Sequence, residues 1–534
     1  MSAVPPPATA APAVPPVVGR YRVIPLIEEG AASATRPHPA TPEVQEALGF
    51  PARLPSDWKA RALARLGELV AERRGLRVFL ETCTKCGACT DKCHYFLGTR
   101  DPKNMPVARQ DLLRAVWRRH FTFAGRWFPW LVGARELDES VLEDWFRYFH
   151  QCSECRRCTV FCPSGIDTSE VTMAGREILA SVGLGHHYTQ EIVLKASTIG
   201  NNLGLRRPAL ADILENLEED ILEESGVPVR LPLDDATADT LVVAPSADFF
   251  AEPHVDGLIG YAKVLHEAGI RWTFSSEASE AANFALFTGD HAHMQDIARR
   301  IRDAAIALGT TRLVIGECGH AWRVAYSYLD ALVGPLVDDG DGRTGRHGRA
   351  STGGERGEDR IGFLGRAHPR AEHVCEVTHA LWRAGAIRLD PTRNAGVVAT
   401  YHDSCNVARG AGMGDRPGGQ YTIPRELLGA AVPSVVEMSG DTTAQRTFCC
   451  GGGAGMLADE LMDVRVKGAL PRAQALEAVV AAHGVTHMAA ICAICKTQFA
   501  AVLPAHGLGG VRIASLHQLV GDALVLSGER RGEG

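Results

Sequence analysis

The pattern of apolar and polar positions divides the chain into regions of different texture. Residues 1–55 are rich in proline and alanine and show no sustained period, so we predict a tail that cannot bury enough apolar area to order itself. Residues 56–205 carry helical periods, beginning with a helix expected to start at Ser56 and to stop at Gly75. An acidic helix within 206–238, with an apolar face, then connects to the second half.

From Leu241 onward, short apolar strands alternate with helices, which favours α/β layers. This half also repeats itself: 241–246 parallels 397–402, 287–289 parallels 449–451, and 309–320 parallels 484–495. In that alignment Glu317 replaces Cys492 and His320 replaces Cys495. We therefore predict a degenerate first copy at 239–390, with a mobile surface insertion at 338–362, and an intact second copy at 391–530.

Composition limits the functions that the chain can have. Its 534 residues imply several domains, and its formal net charge of -7 argues against nucleic acid as a partner. There is no apolar run of about 18 residues and no charged segment followed by an apolar core at the N-terminus, so we expect a protein that neither spans a membrane nor is exported. Fifteen cysteines grouped at short spacings favour metal binding in a reducing cytoplasm over a disulfide framework.

Two cysteine runs with the spacing Cys-x2-Cys-x2-Cys-x3-Cys lie in the helical region. This is the run of bacterial two-cluster ferredoxins, in which the fourth cysteine ligates the other cluster. A pair of four-cysteine zinc sites is the alternative, and the third cysteine of each run makes it awkward. His94 stands where a proline often follows the fourth cysteine. The predicted ligands are Cys83, Cys86, Cys89 and Cys162 for one cubane 4Fe-4S cluster, and Cys93, Cys152, Cys155 and Cys158 for the second.

The insert between the runs interleaves arginines with large aromatic residues. Such a mixture suits a buried protein interface or the headgroup level of a membrane, whereas aromatic residues at helical spacing are also typical of core packing with a solvated basic face. The residues are Arg109, Arg114, Arg118, Arg119 and Arg126 with Trp117, Phe121, Phe123, Trp127, Phe128 and Trp130.

The adjacent pair Cys449 and Cys450, followed by three glycines, forms the most distinctive motif. Two neighbouring cysteines cannot both bind one small tetrahedral ion without strain, but they can ligate neighbouring irons of a larger cluster. Glycines at 451–453 would provide positive φ angles and free amides for the sulfurs. The alternative is that two of the local cysteines are buried hydrophobes and two bind zinc.

Together with Cys405, Cys492 and Cys495, this pair resembles the CCG domain of heterodisulfide reductases and their relatives. The resemblance implies a noncubane 4Fe-4S cluster bound by these five cysteines. It also implies a multidomain α and α/β protein, in which a helical two-cluster ferredoxin precedes tandem pseudo-symmetric α/β CCG domains. The same order is found in the HdrD-type subunits of heterodisulfide reductases and in the iron-sulfur subunits of glycolate, lactate and glycerol-3-phosphate oxidising systems.

Three stretches, at 101–107, 162–168 and 316–321, resemble the DsrK branch of dissimilatory sulfur metabolism. This implies a cytoplasmic subunit at the inner face of the membrane, docked on a DsrM-like haem b subunit and other Dsr subunits. It would reduce, or in reverse form, a disulfide or trisulfide on a DsrC-like sulfur-carrier protein. A relay subunit that feeds a flavin oxidase and an assembly scaffold are the alternatives.

Within that family, the resemblance implies catalytic roles for Cys405, Cys449 and Cys450. Cys318 either contacts the substrate sulfur or is a buried small hydrophobe, which is the stronger interpretation for Cys375. His402 lies close to Cys405 and either donates protons or has a structural role. The same two interpretations apply to its neighbour Asp403.

Overall fold

The computed structural model describes residues 17–18, 21–22, 54–281, 283–334, 371–457 and 461–528. In the predicted tail it gives two short antiparallel strands, β1 (Val17–Val18) and β2 (Tyr21–Arg22). The rest of the tail up to residue 53 and the predicted insertion at 338–362 lie outside the described residues.

A helical module follows, built around a core that includes Leu66, Trp145, Phe149 and Ile178. Amphipathic helices bury one stripe each, so several short helices can share one core. The helices are α1 (Trp58–Glu72), α2 (Arg74–Thr82), α3 (His94–Thr99), α4 (Pro106–Phe121), α5 (Phe123–Trp127), α6 (Pro129–Val132), α7 (Glu139–His150), α8 (Arg157–Val160), α9 (Thr168–Ser181) and α10 (His187–Ile199).

The predicted first helix has different ends in the structure. Asp57 takes the N-cap position in place of Ser56, and the helix ends at Arg73, whose backbone is extended. Gly75 therefore does not stop a helix but lies inside α2. The reason is that Leu76 and Leu80 continue the apolar stripe beyond the glycine and are buried in the same core.

The Arg and aromatic insert forms α4, α5 and α6. Trp117 is buried, as the core-packing interpretation requires, but Phe123, Trp127 and Trp130 are 75%, 66% and 77% exposed. Phe121, Phe128 and Leu131 are exposed beside them. Core packing is thus wrong for most of these aromatic residues, and they form an exposed aromatic patch that we define as Phe121, Phe123, Trp127, Phe128, Trp130 and Leu131.

The connecting segment contains α11 (Arg207–Ser225), which buries Leu214, Leu217 and Ile221 as its apolar face predicts. The second half then contains two four-stranded sheets with all strands parallel. The strands are β3 (Thr240–Val243), β4 (Trp272–Thr273), β5 (Arg312–Ile315), β6 (Glu372–His373), β7 (Val398–His402), β8 (Ser434–Val435), β9 (His487–Ala490) and β10 (Arg512–Ser515).

Helices separate these strands, as parallel pairing demands. The helices are α12 (His254–Glu267), α13 (Asn283–Thr288), α14 (His291–Leu308), α15 (Gly319–Ser327), α16 (Leu329–Val333), α17 (Val374–Arg383), α18 (Cys405–Gly410), α19 (Gly419–Ala431), α20 (Met462–His483), α21 (Ala493–Val502) and α22 (Leu516–Ala523). Among the described residues, no helix combines the length and the apolar character needed to cross a bilayer.

The two sheets have the same strand order, which matches the repeat seen in the sequence. The first is β4-β3-β5-β6 and the second is β8-β7-β9-β10. The helix after the third strand is capped by Cys318 in the first copy and by Cys492 in the second. At the helix cap, Cys318 rather than Glu317 is therefore the counterpart of Cys492, because the first copy has one more residue between strand and helix.

Candidate metal centres and active site

The first predicted cluster set lies together at the surface of the helical module. Cys83, Cys86, Cys89 and Cys162 line one cavity together with Cys158, so the fourth cysteine of the second run lies with the first three of the first run. Cys86 is exposed and the other three are partly exposed. Burial raises the pKa of Cys89 to about 11, and the nearby Cys162 and Cys83 add to this effect.

The second set lies deeper. Burial raises the pKa of Cys158 well above its usual value, and the thiols of Cys155, Cys152 and Cys93 add to this effect, so the fourth cysteine of the first run lies near the first three of the second. The buried Arg109 donates to Cys93 Sγ at 3.6 Å and to the Tyr148 carbonyl at 3.0 Å. This arginine of the insert is therefore a buried partner of a cysteine set, not part of a solvated face.

The third set is completely buried between the two α/β repeats. Cys405 begins α18, Cys449 and Cys450 lie in the loop before α20, Cys492 caps α21 and Cys495 lies in its first turn. The Sγ atoms of Cys405 and Cys449 are 3.9 Å apart. Each of the five side chains is at most 3% exposed.

The five thiols are close enough to perturb one another. Hydrogen bonds from Cys155 and Cys405 hold the pKa of Cys449 well below its usual value, and those from Cys449 and Cys495 do the same for Cys450. The pKa of Cys405 rises, because it shares the proton with Cys449 and is buried.

Two different structural requirements explain why glycines follow the cysteine pair. Of 451–453, only Gly451 has the predicted positive φ, at 90°. A Cβ on Gly452 would lie 2.9 Å from the Gln498 and Leu457 side chains, so that glycine is needed for close packing instead. The amides of Gly451 and Gly452 point at Cys449 Sγ and Cys450 Sγ at 3.4 Å each.

The degenerate repeat supplies a second wall to this site through the start of α15. His320 Nδ1 lies 3.6 Å from Cys492 Sγ, and its Nε2 accepts from the Ala454 amide at 3.4 Å. Cys318 lies beside Cys492 and is 2% exposed. The ligand atoms of Cys318, His320 and Cys492 are all within 4.8 Å of one another.

The second and third sets are in contact. Arg409 donates to the carbonyls of both Cys155, in the second ferredoxin run, and Thr447, just before the cysteine pair. A Cβ on Gly453 would lie 3.1 Å from the Ser153 carbonyl, so the two loops pack directly on each other. The cysteines thus form one path of increasing burial, from the exposed Cys86, through the second set, to the enclosed five.

Arginine side chains fasten the helical module to the loops of the α/β half. Arg176 donates to the carbonyls of Phe149, Cys152, Phe287 and Ala454 at 2.7–3.1 Å, which ties the module to both repeats. The Arg157 guanidinium lies over the Phe448 ring, 3.7 Å from its centroid. Because these hydrogen bonds of Arg176 go to backbone carbonyls, they do not depend on which side chains the partner segments carry.

His402 and Asp403 occupy different environments. Arg425 holds both carboxylate oxygens of Asp403 at 2.8 Å, and the Ala444 amide donates to one of them, so Asp403 braces the loop before the cysteine pair. His402 is fully buried, edge-on to Phe499 at 4.8 Å, and burial holds its pKa well below the usual value. Neither of its ring nitrogens has a hydrogen-bond partner within the part of the chain that the structure describes.

Glu317 joins the two repeats in a buried ionic cluster. Its carboxylate lies 3.0 Å from Lys496 Nζ and 2.7 Å from His517 Nδ1, and all three side chains are fully buried. Cys375 lies close to Glu317 and His517, with ligand atoms within 4.8 Å. Because the Lys496 ammonium already neutralises Glu317, this group forms an ion pair rather than a cation site, and Cys375 packs as a buried small residue.

The donor sets fit iron-sulfur clusters. Thiolates are the ligands that such clusters take, and N–H groups directed at the sulfurs are the usual outer partners. Those partners are present here: the Ile166 amide donates to Cys162 at 3.4 Å, Arg109 to Cys93, and the two glycine amides to the adjacent pair.

Several site residues have no clear signature in the sequence. Arg176 lies in an ordinary helical stretch, and Arg157 is one of two variable positions between Cys155 and Cys158 of the second run. His320 was expected to stand in for a lost cysteine, but it faces the intact set. The sequence marks His94 only by its difference from the usual ferredoxin pattern, in which a proline often follows the fourth cysteine.

Comparisons with known proteins agree with this arrangement. A family model described as a 4Fe-4S dicluster domain matches residues 79–166. The chain is 38% identical over 487 residues to the Hdr-like menaquinol oxidoreductase iron-sulfur subunit of Archaeoglobus profundus, covering 89% of this chain and 85% of the relative. The chain belongs to the heterodisulfide reductase-like (Hdr-like) family of iron-sulfur subunits.

Two further relatives extend the comparison. Hdr-like menaquinol oxidoreductase iron-sulfur subunit 2 of Archaeoglobus fulgidus is 37% identical over 483 residues, 89% of this chain and 85% of its own length. A dihydromethanophenazine:CoB–CoM heterodisulfide reductase subunit of Methanosarcina acetivorans is 24% identical over 401 residues, 73% of this chain and 84% of its own. No solved structure matches the chain. Membership of the Hdr-like family confirms the predicted resemblance at that level.

Proposed function

We propose that this Hdr-like chain is the iron-sulfur catalytic subunit of a quinone-linked redox complex that cleaves or forms a sulfur–sulfur bond. The closeness of the Cys155 loop to the Cys449 loop carries this proposal, because Arg409 donates to the carbonyls of Cys155 and Thr447 and so holds a ferredoxin-type set against an enclosed five-cysteine set. The relatives named menaquinol oxidoreductase subunits support the link to a quinol. The relatives named heterodisulfide reductases support the sulfur chemistry.

The proposed ligands are those expected from the sequence. The surface cavity would hold one cubane 4Fe-4S cluster on Cys83, Cys86, Cys89 and Cys162, and the deeper set a second on Cys93, Cys152, Cys155 and Cys158. The enclosed set of Cys405, Cys449, Cys450, Cys492 and Cys495 would hold a noncubane cluster. When bound, such clusters supply one-electron redox chemistry and iron that takes thiolate sulfur.

The protein residues would orient the sulfur substrate and exclude water. Reduction of a disulfide consumes two electrons and two protons and releases two thiols. Cys318 and His320 form the wall opposite the cysteine pair, so the incoming sulfur would meet their side chains. The complete burial of the site implies that the two α/β repeats enclose the reacting sulfurs.

The substrate that we propose is a disulfide or trisulfide on a small DsrC-like sulfur-carrier protein. The exposed aromatic patch would contact a membrane subunit, a DsrM-like haem b protein, at the inner face of the cytoplasmic membrane. Arg119 and Arg126 flank this patch, and such pairing of arginine with large aromatic residues is what protein interfaces enrich.

A test of the function compares the wild type with Cys450→Ala in the assembled complex, using reduced menaquinone and a disulfide-bonded carrier protein. We expect thiol formation by the wild type and none by the variant, while the variant keeps both cubane EPR signals. If the variant still reduces the carrier at near wild-type rate, the chain is a relay or scaffold subunit instead.

A further inference from the structure

His94 follows the ligand Cys93 at the first position of α3, and its backbone does not require a histidine. Proline is favoured at the first helical position, since that amide needs no partner inside the helix. Cys93, with ψ 119°, already has the extended conformation that a residue before proline adopts. The reason for histidine must therefore lie in its side chain.

That side chain is buried where the helical module meets the cysteine pair. His94 is 1% exposed, and its Nδ1 lies 2.8 Å from the Gly468 carbonyl of α20. Its Nε2 lies 2.8 Å from Ser153 Oγ, in the second ferredoxin run. A neutral ring satisfies both contacts, with Nδ1–H donating to the carbonyl and the serine hydroxyl donating to Nε2.

Ser153 lies two residues before the ligand Cys155, and Gly468 packs against Gly451, where a Cβ would lie 3.1 Å from the Gly468 carbonyl carbon. His94 thus links the loop of the second cysteine set to the helix that packs against the loop of the cysteine pair. Neighbouring Tyr95 strengthens the same contact by donating to the Gly451 carbonyl at 2.7 Å.

We propose that His94 is a positioning residue that fixes the Cys155 loop against the Cys449 loop and thereby couples the two metal centres. This inference rests on the proposed function, which places a cluster on each set. The histidine is neither oxidised nor reduced, and it acts only by holding the two loops together. Residues around a cluster that order its ligands influence both its potential and its magnetic interactions.

The decisive variant is His94→Pro, which keeps a residue suited to the helix start and removes the imidazole together with an amide N–H that needs no partner inside the helix. His94→Gln keeps a polar side chain of intermediate reach. His150→Gln is the matched control, because His150 is also buried in the module but stacks on His186 at 4.3 Å and bonds to the Phe146 carbonyl. Iron content is measured first in every variant.

With iron content equal to that of the wild type, we expect His94→Pro to lose the spin–spin splitting between the two centres in EPR of the reduced protein. We also expect electron arrival at the enclosed centre, followed by rapid freeze-quench EPR, to slow about tenfold or more. The Gln variant should be intermediate and the His150 control unchanged. In wild-type protein labelled with ¹⁵N-histidine, pulsed EPR should detect a nitrogen coupling that weakens in His94→Gln, and the part that remains should come from His320 beside Cys492.

Unchanged splitting and rate in His94→Pro, or a nitrogen coupling as strong in His94→Gln as in the wild type, would overturn the inference while leaving the proposed function intact. If His94→Pro does not fold, the labelled wild type and the Gln variant decide the question. Wild-type protein without iron on the enclosed cysteines would instead overturn the proposed function itself.

Discussion

The ion pair between Glu317 and Lys496 predicts a large and specific dependence of stability on two residues from different repeats. Both side chains are fully buried, 3.0 Å apart, and Glu317 also accepts from the His517 amide at 2.9 Å. Removing one member of a buried pair leaves an uncompensated charge, which costs about 3–5 kcal/mol. We therefore expect Glu317→Gln to lower the free energy of unfolding by that amount, and Lys496→Met by somewhat less, because His517 and Ser515 still bond the carboxylate.

The double variant tests the coupling. With both charges removed, the loss should be well below the sum of the two single losses, by about 2 kcal/mol or more. Anaerobic urea unfolding followed by tryptophan fluorescence measures all three, and Asp296→Asn, which breaks an exposed pair with Arg299, is the control expected to change stability by less than about 0.5 kcal/mol. Single losses that simply add within about 0.5 kcal/mol would show that Glu317 and Lys496 do not depend on each other for stability.

Three further predictions follow from the sites. Cys162→Ser should remove the cubane EPR signal of the surface set while the deeper set keeps its own, whereas loss of the deeper signal alone would contradict the proposed cross-ligation. Burial raises the pKa of Glu280 to about 7, so the folded state holds a proton that the unfolded state has lost, and stability should fall by about 1 kcal/mol from about pH 6 to about pH 8 in the wild type but not in Glu280→Gln. Replacing Trp127 and Trp130 by Ser should abolish co-purification with the membrane subunit without lowering the unfolding midpoint, because both are largely exposed, and retained co-purification would show that the patch is not the docking surface.

The sequence predicted the elements whose signals are local. Cysteine spacing indicated the groupings that the structure brings together, and the strand and helix alternation indicated two similar sheets. The domain boundaries, the ligand roles and the catalytic roles of Cys318 and His402 stay predictions. The helix ends near Ser56 and Gly75 were wrong, because tertiary packing of Leu76 and Leu80 outweighed the local glycine signal.

Contacts between distant segments could not be predicted in the same way. Arg176 bonds to carbonyls more than 100 residues away, and backbone acceptors leave no trace in the partner sequence. The aromatic insert was difficult for another reason, because its composition suits a core and a surface equally. Only the packing of α4 to α6 shows that Trp117 is buried while Trp127 is exposed.

We propose that the five enclosed cysteines hold a third cluster, distinct from the two in the ferredoxin-type module. The most direct measurement is iron content, determined side by side for anaerobically purified wild type and Cys450→Ala. Three 4Fe-4S clusters give about twelve irons per wild-type chain, and loss of the enclosed one gives about eight in the variant with both cubane EPR signals intact. Equal values near eight in both proteins, or stoichiometric zinc in the wild type, would contradict the account.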